Sequence, residues 1–377
     1  MHKKKEICPV YNGEDILSLT MKGVIVRDLD AGGKMPASFD GYQRLESGNL
    51  LMCLFDIDVT PRCIGLIKQT GLSSPAYSQF VLCDDANAAY YCYYYTMLDN
   101  DKTLLHLAKN LRHSLTEDQL GAIPVIVPPM DEQKRIADFL DAKCAEIDAL
   151  ATDIQAQIDT LEQYKRSVIT ETVTKGLNPN AEMKDSGVFY MAPMNATWRL
   201  TKIGYICSKL SRSFAPEDTA LICSNKGKVQ VRADDLTGIM VSDDNAMQGI
   251  HAGDIAIHGM DTWHGAIALS EYDGKITRVV HVCDSTEDKR FIVYYMQHLA
   301  FQGVYKLISN GVRGNTSDFR SWDKVRDIWI AIPETKEEQA AICDYLDRQC
   351  TAVEEVIATK KEQLEVLGEY KKSLIFE

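Results

Sequence analysis

Apolar residues recur every seven positions along two long stretches of the chain, residues 132–169 and 338–375. A second apolar residue usually follows four positions after each of them, which is typical of a coiled-coil seam. The seam positions are Leu140, Ile147, Ile154, Leu161, Val168, Leu346, Val353, Leu367 and Leu374. The pattern predicts two long helices that pack on each other. Two ordinary amphipathic helices in one core, or one half of a homodimeric zipper, are the alternatives.

The two helical stretches are copies of each other. With one constant offset Gln133 matches Gln339 and Tyr164 matches Tyr370. The match continues upstream more weakly, where "PVIVPP" parallels "IWIAIP". An internal duplication of this kind predicts one structural unit present twice. Two similar helices within one chain pack most simply as an antiparallel pair.

Each long helix follows a globular segment with the same order of runs. The first segment contains the β-rich runs "GVIVRDL", "NLLMCLFDIDV" and "CIGLIKQ", then the helix-like "AAYYCYYYTMLD". The second contains "KVQVRAD", "GDIAIHGM", "GAIALSEY" and "KITRVVHVC", then "FIVYYMQHLA". The tyrosines favour packing in a core, with a platform for base stacking as the alternative. We therefore predict an α+β fold of two mixed α/β domains joined by two long helices that form an antiparallel coiled coil.

The pattern also sets the expected boundaries. The first domain covers 1–128, the first helix 129–175, a linker 176–197, the second domain 198–332 and the second helix 333–377. The second domain opens with "ATWRLTKIG", and the first domain has no equivalent Trp. The first helix continues into "TVTKGL", which the second copy does not reach. We therefore expect the first domain to be N-terminally short and the second helix to be C-terminally short.

Composition narrows the class of protein. The 377 residues suffice for two domains with cores, and no apolar run is long enough to span a bilayer, which favours a cytoplasmic protein with no membrane partner. The net charge of -13 counts against nucleic-acid binding, but many of the acids lie on the helical stretches, and phosphate contact depends on local charge. The eleven scattered cysteines include no Cys-x-x-Cys pair, so we expect buried thiols rather than a zinc site.

The sequence contains no clear motif of an enzyme active site. Neither a Gly-x-Gly-x-x-Gly motif nor a phosphate loop is present, so we expect no cofactor. His258 and His264 have no further ligands nearby, so we also expect no bound metal. Asp254, Asp273 and Lys275 resemble the acid and Asp-x-Lys arrangement of metal-dependent nucleases. The "YDGK" run that contains two of them is also typical of a hairpin turn. A nuclease, and a coiled-coil scaffold that does not bind DNA, remain as alternative functions.

Three stretches, "PPMDEQKRIADFLD", "VTKGLNPNAEMKDSG" and "EEQAAICDYLD", resemble the DNA specificity subunits of type I restriction-modification systems. The resemblance extends over nearly the whole chain. It implies two target recognition domains, each of which reads one half of a bipartite double-stranded DNA target. It further implies a non-catalytic subunit whose helices hold two methyltransferase subunits, and which meets restriction subunits in the full complex.

The resemblance does not identify the residues that contact DNA, but residue chemistry narrows them. Arg and Lys on glycine-containing loops, with Asn, Ser and Thr nearby, are the usual contacts to phosphate and guanine. The candidates are Lys22, Arg27, Lys109, Asn110, Arg112, Ser114, Lys226, Lys228, Arg232, Asn310, Arg313, Asn315, Thr316 and Arg320. For each one a solvated surface side chain is the alternative.

Overall fold

The structure is a computed structural model that describes residues 1–30, 36–108, 113–232, 246–309 and 319–377. The chain divides into two compact units. Unit 1 contains Met1–Gln155 and Lys360–Glu377, and unit 2 contains Ala156–Thr359. Each unit is therefore one globular domain together with a part of both long helices.

Unit 1 begins with short strands, continues with three helices and ends in a long helix. Its strands are β1 His2–Lys4, β2 Leu17–Thr20, β3 Gly23–Val26, β4 Gln43–Leu45, β5 Leu50–Met52, β6 Ile64–Leu66, β7 Gly71–Ser73 and β8 Ser78–Val81. Its helices are α1 Ala88–Asn100, α2 Thr103–Leu107, α3 Glu117–Gly121 and the first part of α4 Met130–Lys175.

Unit 2 repeats this order after an additional opening segment. Its elements are β9 Met183–Lys184, β10 Met194–Asn195, β11 Arg199–Lys202, α5 Ile203–Ile206, β12 Cys207–Lys209, β13 Leu221–Ser224, β14 Lys228–Val231, β15 Met247–Ile250, β16 Ile255–His258, a 3-10 turn Thr262–His264, β17 Ile267–Leu269, β18 Gly274–Thr277, β19 Val280–Ser285, α6 Lys289–Phe301, α7 Val304–Ile308, α8 Trp322–Arg326, β20 Trp329–Ile332 and α9 Lys336–Phe376.

The two units share one sheet topology. A four-stranded antiparallel sheet has the order β1-β8-β5-β6 in unit 1 and β12-β19-β16-β17 in unit 2. The pairs β2-β3 and β4-β7 of unit 1 correspond in the same way to β13-β14 and β15-β18 of unit 2. The predicted α+β fold, with two mixed domains joined by long helices, is confirmed.

The Tyr-rich run forms α1, as predicted. Asn87 caps this helix by accepting a hydrogen bond from the Tyr90 backbone amide at 3.0 Å. Tyr90, Tyr91 and Tyr95 are buried and form a core cluster with strands β5, β6 and β8. Core packing therefore explains these rings better than base stacking.

The apolar run "KITRVVHVC" is not one strand but two, β18 and β19. These strands pair with different partners, β15 and β16 respectively, and the chain turns between Thr277 and Val280. Alternation of side chains cannot reveal such a change of partner, because both strands have the same period.

Both long helices are continuous and bury their seam unevenly. The buried seam residues are Leu140, Ile147, Ile154, Leu346 and Val353, and the partly buried ones are Leu161, Val168, Leu367 and Leu374. Towards the end of α4, Ile169 and Val173 are buried in the unit 2 core next to Val168. An α-helix has 3.6 residues per turn, so a strict seven-residue stripe drifts around the helix.

The helices run antiparallel. In unit 2, Lys165 forms an ion pair with Glu354, and Gly176 at the end of α4 lies beside Glu338 near the start of α9. In unit 1, Lys371 of α9 forms an ion pair with Asp148 of α4 at 2.6 Å. Both pairs join a basic side chain of one helix to an acidic one of the other.

A buried glutamine ties each domain to its long helix. In unit 1 the Gln133 Oε1 accepts from the Asn87 backbone amide at 2.8 Å, and in unit 2 the Gln339 Oε1 accepts from the Asp288 amide at 2.9 Å. Both glutamines are fully buried. The duplication seen in the sequence thus extends to individual hydrogen bonds.

A tyrosine makes a second matched contact in each unit. The Tyr93 hydroxyl donates to Asp141 Oδ1 at 2.8 Å, and the Tyr294 hydroxyl donates to Asp347 Oδ1 at 2.7 Å. Burial, together with the acceptor carboxylate, raises the pKa of both tyrosines. Both phenols therefore stay protonated and act as donors at neutral pH.

Two general features bear on the protein class. Among the described residues, no helix is both long enough and apolar enough to cross a membrane. Cys83 is the one exposed cysteine, Cys8 and Cys92 are partly buried, and the remaining eight are buried thiols, as expected.

Candidate nucleic-acid interface

A hairpin with basic residues occupies the same place in each unit. Lys22 lies in the turn between β2 and β3, and Lys226 lies in the turn between β13 and β14. Both side chains are exposed. Gly23 and Gly227 next to them have φ of 89° and 69°, a left-handed conformation that suits glycine in a tight turn. The two lysines therefore project from corresponding tight turns.

An arginine follows each hairpin. The backbone amide of Arg27 donates to Ile16 O at 2.7 Å, and the amide of Arg232 donates to Ala220 O at 2.9 Å. Each bond extends its hairpin by one residue, so these arginines have equivalent backbone positions. Both arginines are partly exposed. The parallel between the two basic stretches, seen first in the sequence, holds in three dimensions.

Lys228 differs from the other hairpin lysines because it has an acidic partner. Its Nζ lies 2.7 Å from Glu354 Oε2, on the long helix α9. Burial acts to raise the pKa of Glu354, but hydrogen bonds from Lys165 and Lys228 outweigh it and hold the pKa below its usual value. Lys228 thus connects the hairpin to the helix and is less available to phosphate than Lys226.

The loop candidates fall mostly outside the described residues. These are Lys109, Asn110 and Arg112 in unit 1, and Asn310, Arg313, Asn315 and Thr316 in unit 2. Ser114, just beyond the first loop, lines an open cleft of about 560 Å³ together with Lys3 and Glu117, whose side chains form an ion pair at 2.5 Å. Arg320, just beyond the second loop, is exposed.

The residue before Arg320 is firmly anchored. Phe319 is buried, its amide donates to Gly259 O at 3.0 Å, and its ring packs edge-on against Tyr305 at 5.3 Å. The His281 Nε2 lies 2.7 Å from Phe319 O. A contact made by Arg320 would therefore start from a fixed point of the backbone.

Lys209 is an exposed cation that does not belong to any of the basic stretches singled out in the sequence. Strand β12 pairs Lys209 with Cys283 of β19, two residues from His281, whose Nε2 lies 2.7 Å from Phe319 O. Burial lowers the pKa of His281, and the charge of Lys209 lowers it further. Lys209 belongs to β12, a short strand with no glycine turn beside it. Lys209 therefore lacks the neighbouring glycine that marks the other candidates. The sequence feature that could have identified Lys209 is its place in β12, the first strand of the four-stranded sheet of unit 2.

The acids of the nuclease alternative serve structural contacts. The Asp254 carboxylate is buried and accepts two hydrogen bonds from Arg212, at 2.8 and 2.9 Å. Asp273 accepts from the Ala252 amide at 2.8 Å. The Lys275 Nζ donates to Pro216 O at 2.7 Å. Within the described ranges, no three His, Cys, Asp or Glu side chains are grouped as metal ligands would be.

The long helices also present matched exposed residues. Leu150 and Val356 correspond under the constant offset and are 49% and 45% exposed. Tyr164 and Tyr370 correspond in the same way and are 51% and 55% exposed. Unit 1 carries Leu150 and Tyr370, and unit 2 carries Val356 and Tyr164. Each unit therefore has one aliphatic and one aromatic member of these matched exposed pairs, and unit 1 also exposes Phe139, Val366 and Phe376 on its helices.

Comparison with solved structures identifies chains of similar fold. The chain is similar to one from a structure described as the structural basis of complex assembly and conformational transition of the type I R-M system. The TM-score is 0.66 at 14% identity, and the match covers 99% of this chain and 93% of that one. At this identity the likeness establishes the fold.

Two further solved structures are similar at lower scores. The HsdS subunit from Thermoanaerobacter tengcongensis has a TM-score of 0.42 at 15% identity, covering 88% of this chain and 80% of that one. The type I restriction-modification S subunit from M. genitalium has a TM-score of 0.38 at 13% identity, covering 88% and 82%. No curated protein sequence matches significantly.

A family match comes from the sequence itself. Residues 76–160 match the type I restriction modification DNA specificity domain. These residues cover β8, the helices α1 to α3 and the first part of α4, and they include the buried Gln133 that joins domain and helix. The resemblance drawn from the sequence is thereby confirmed over residues 76–160, which are similar to the DNA specificity domain of type I restriction-modification systems.

Proposed function

We propose that this chain is a non-catalytic, cytoplasmic subunit that selects the DNA target of a type I restriction-modification complex. Each globular domain reads one half of a bipartite double-stranded target. The observation that carries the proposal is the repeated topology, with an exposed basic turn at Lys22 in one unit and at Lys226 in the other. The structural contacts of Asp254 and Asp273 give no support to the nuclease alternative.

The two domains suit two different half-sites. Their sheets have the same order, yet the turns and loops on these sheets differ in sequence, "TMKG" against "SNKG" for example. Phosphate contacts from Lys and Arg position a protein on DNA, while bidentate contacts from Arg to guanine provide specificity. A common scaffold with different loops gives each domain its own sequence preference.

Arg320 is the described residue best placed to test base reading. We expect Arg320→Ala, in the complete methyltransferase complex, to relax recognition of one half-site by about 1 to 3 kcal/mol and to leave the other unchanged. Arg320→Lys is the matched control, because it keeps the charge and loses the bidentate guanidinium. Methylome sequencing of cells that carry each variant reads out both half-sites.

The outcomes of this experiment are distinct. If the lysine variant restores the parent motif, Arg320 contacts phosphate only. If both half-sites change together, the assignment of one half-site to each domain is wrong. If Arg320→Ala leaves the motif and the binding affinity unchanged, Arg320 is a solvated surface residue.

The helices are the proposed docking surface for two methyltransferase subunits, and restriction subunits join this complex. The matched exposed residues of the two units give two equivalent patches, which predicts two copies of one partner. The double variant Leu150→Ser, Tyr370→Ala should bind one methyltransferase subunit instead of two, and so should Val356→Ser, Tyr164→Ala. Native mass measurement counts the subunits. A parent chain that binds only one copy at saturation would contradict the proposal.

A further inference from the structure

One acidic residue joins the hairpin of unit 2 to both long helices. Glu354 lies on α9, and its Oε2 accepts a hydrogen bond from Lys228 of β14 at 2.7 Å. Its other oxygen, Oε1, accepts from Lys165 of α4. All three residues belong to unit 2. One carboxylate therefore offsets part of the charge of two lysines that come from different elements.

The helix part of this arrangement is repeated in unit 1. Under the constant offset Lys165 corresponds to Lys371 and Glu354 corresponds to Asp148. The Lys371 Nζ lies 2.6 Å from Asp148 Oδ1. Each unit therefore joins its two long helices through one basic and one acidic side chain at the same place.

The hairpin part is specific to unit 2. Lys228 lies opposite Ser224, where the two strands of this hairpin begin to pair after the turn. In the hairpin of unit 1 the residue at this place is Gly23, opposite Thr20. Glycine has no side chain, so the hairpin of unit 1 has no charge at this place. The contact of Lys228 with the long helix is thus an addition to the frame that the two units share.

The turn of the unit 2 hairpin is packed against the domain. A Cβ on Gly227 would collide with Gln297 Nε2 on α6 and would lie 3.4 Å from Gly265 O, at the end of the 3-10 turn. Gly227 separates Lys226 from Lys228, so the close packing fixes the backbone between these two lysines. Differences in their availability to DNA therefore come from the surroundings of the side chains.

The two lysines of this hairpin differ in the charge beside them. Lys226 is exposed and forms no ion pair with a described residue. The side chain of Lys228 is 61% exposed, but Glu354 lies beside it and is 37% exposed. Burial acts to raise the pKa of Glu354, but its hydrogen bonds from the two lysines hold the pKa below its usual value, so the carboxylate stays charged at neutral pH. A phosphate near Lys228 would be repelled by this carboxylate, because both are anions.

We propose that Glu354 determines which lysine of the unit 2 hairpin contacts DNA: it withholds Lys228 from the phosphate backbone and leaves Lys226 as the contact. This inference rests on the proposed DNA-binding function. Cations that neutralise phosphates bind DNA whatever its base sequence. An acid that masks one of these cations limits the sequence-independent part of the affinity.

Removal of the charge of Glu354 should add one phosphate contact. The complex of the full chain with its methyltransferase subunits is titrated with a labelled duplex of random sequence, and fluorescence anisotropy gives the affinity. Each added contact steepens the dependence of log affinity on log salt concentration by about 0.9. We expect this change for Glu354→Gln, so the loss of affinity between about 50 and 200 mM salt becomes about 3.5-fold larger. Glu354→Ala, which also removes the acceptor, should give the same result.

Matched variants show whether the gain comes from Lys228. Glu355→Gln removes the same charge from the next residue of α9, which is exposed and has no ion pair with a described residue, so it should not steepen the salt dependence. The double variant Glu354→Gln, Lys228→Gln should return to the slope of the parent, because the released lysine is absent. Lys226→Gln should make the slope shallower by about 0.9. Circular dichroism checks that each variant folds.

Four results would overturn the proposal. An unchanged slope in both Glu354 variants would mean that this carboxylate masks no DNA contact. A gain that persists in the double variant, or an equal gain in Glu355→Gln, would mean that net charge rather than Lys228 is responsible. A slope shallower by about 0.9 in Lys228→Gln alone would mean that Lys228 already contacts phosphate. A parent complex that does not bind the duplex would overturn the proposed function together with this inference.

Discussion

Replacement of Gln339 by leucine should weaken unit 2 specifically. Gln339 is fully buried, and its Oε1 accepts from the Asp288 amide at 2.9 Å. Its Nε2 donates to Glu287 Oε2 at 2.9 Å and to Pro333 O at 3.2 Å. Leucine has a similar size and none of these groups, so Gln339→Leu removes three hydrogen bonds without opening a large cavity.

The magnitude follows from the groups that lose a partner. A buried polar group left without a hydrogen bond costs about 1 to 3 kcal/mol. The Asp288 amide and Pro333 O lose the partner shown here, whereas Glu287 keeps its ion pair with Arg199 at 2.5 Å. We therefore expect the free energy of unfolding to fall by about 2 to 4 kcal/mol. With a urea m-value of about 2 kcal/mol/M, the midpoint falls by about 1 to 2 M.

The distribution of tryptophan provides a selective assay. All four Trp residues lie in unit 2, so their fluorescence during urea unfolding reports on that unit alone. Gln133→Leu is the matched control, since Gln133 makes the corresponding contacts in unit 1. It should leave the Trp midpoint within about 0.3 M of the parent and lower only the far-ultraviolet circular dichroism transition of unit 1.

Two results would refute this reasoning. A Gln339→Leu midpoint within about 0.3 M of the parent would mean that the buried hydrogen bonds add little to stability. An equal shift of the Trp transition by Gln133→Leu would mean that the two units unfold together rather than separately.

Two further predictions concern single side chains. Burial lowers the pKa of His298 to about 4, below the value near 6.5 of an unfolded histidine, so the fold favours the neutral ring. The contribution of this neutral ring to stability is complete above pH 6.5 and is lost as the pH falls towards 4. The parent should lose about 2 kcal/mol more than His298→Gln between pH 7 and pH 5 in urea titrations, and equal losses would contradict this. The exposed thiol of Cys83 should react rapidly with a disulfide reagent, and Cys83→Ser should abolish this rapid phase. The buried thiols should react slowly, because burial raises the pKa of thiols such as Cys207 to about 11. A rapid phase that persists in the variant would disprove the assignment.

The sequence was sufficient to predict the elements that repeat. The seven-residue period predicted both long helices, and the constant offset predicted that the two domains share one plan. Both signals are local or nearly so, because they depend on spacing along the chain. Strand β1 is an element that such local signals do not predict. It contains His2, Lys3 and Lys4, which have no apolar alternation, and it is a strand because it pairs with β8.

The candidate site was predicted less completely, for a related reason. The basic turns at Lys22 and Lys226 were found because a glycine turn leaves a local signature. The ion pair between Lys228 and Glu354 joins residues 126 positions apart, and no local pattern predicts it. The exposure of Ile126 could not be predicted either, because "PVIV" resembles the buried "WIAI" of unit 2. Whether such a run is buried depends on a strand that pairs with it from elsewhere.

The spacing of the matched contacts shows how one frame can carry two segments of different length and sequence. Tyr93 and Asp141 are 48 residues apart, whereas Tyr294 and Asp347 are 53 apart. The glutamine bonds differ by the same five residues, with separations of 46 and 51. The chain between each pair of anchors includes the loop with the candidate DNA-binding residues. The anchors are therefore kept while the segment between them changes in length and sequence, so under the function we propose a change of DNA target would require no change in the contacts that join domain and helix.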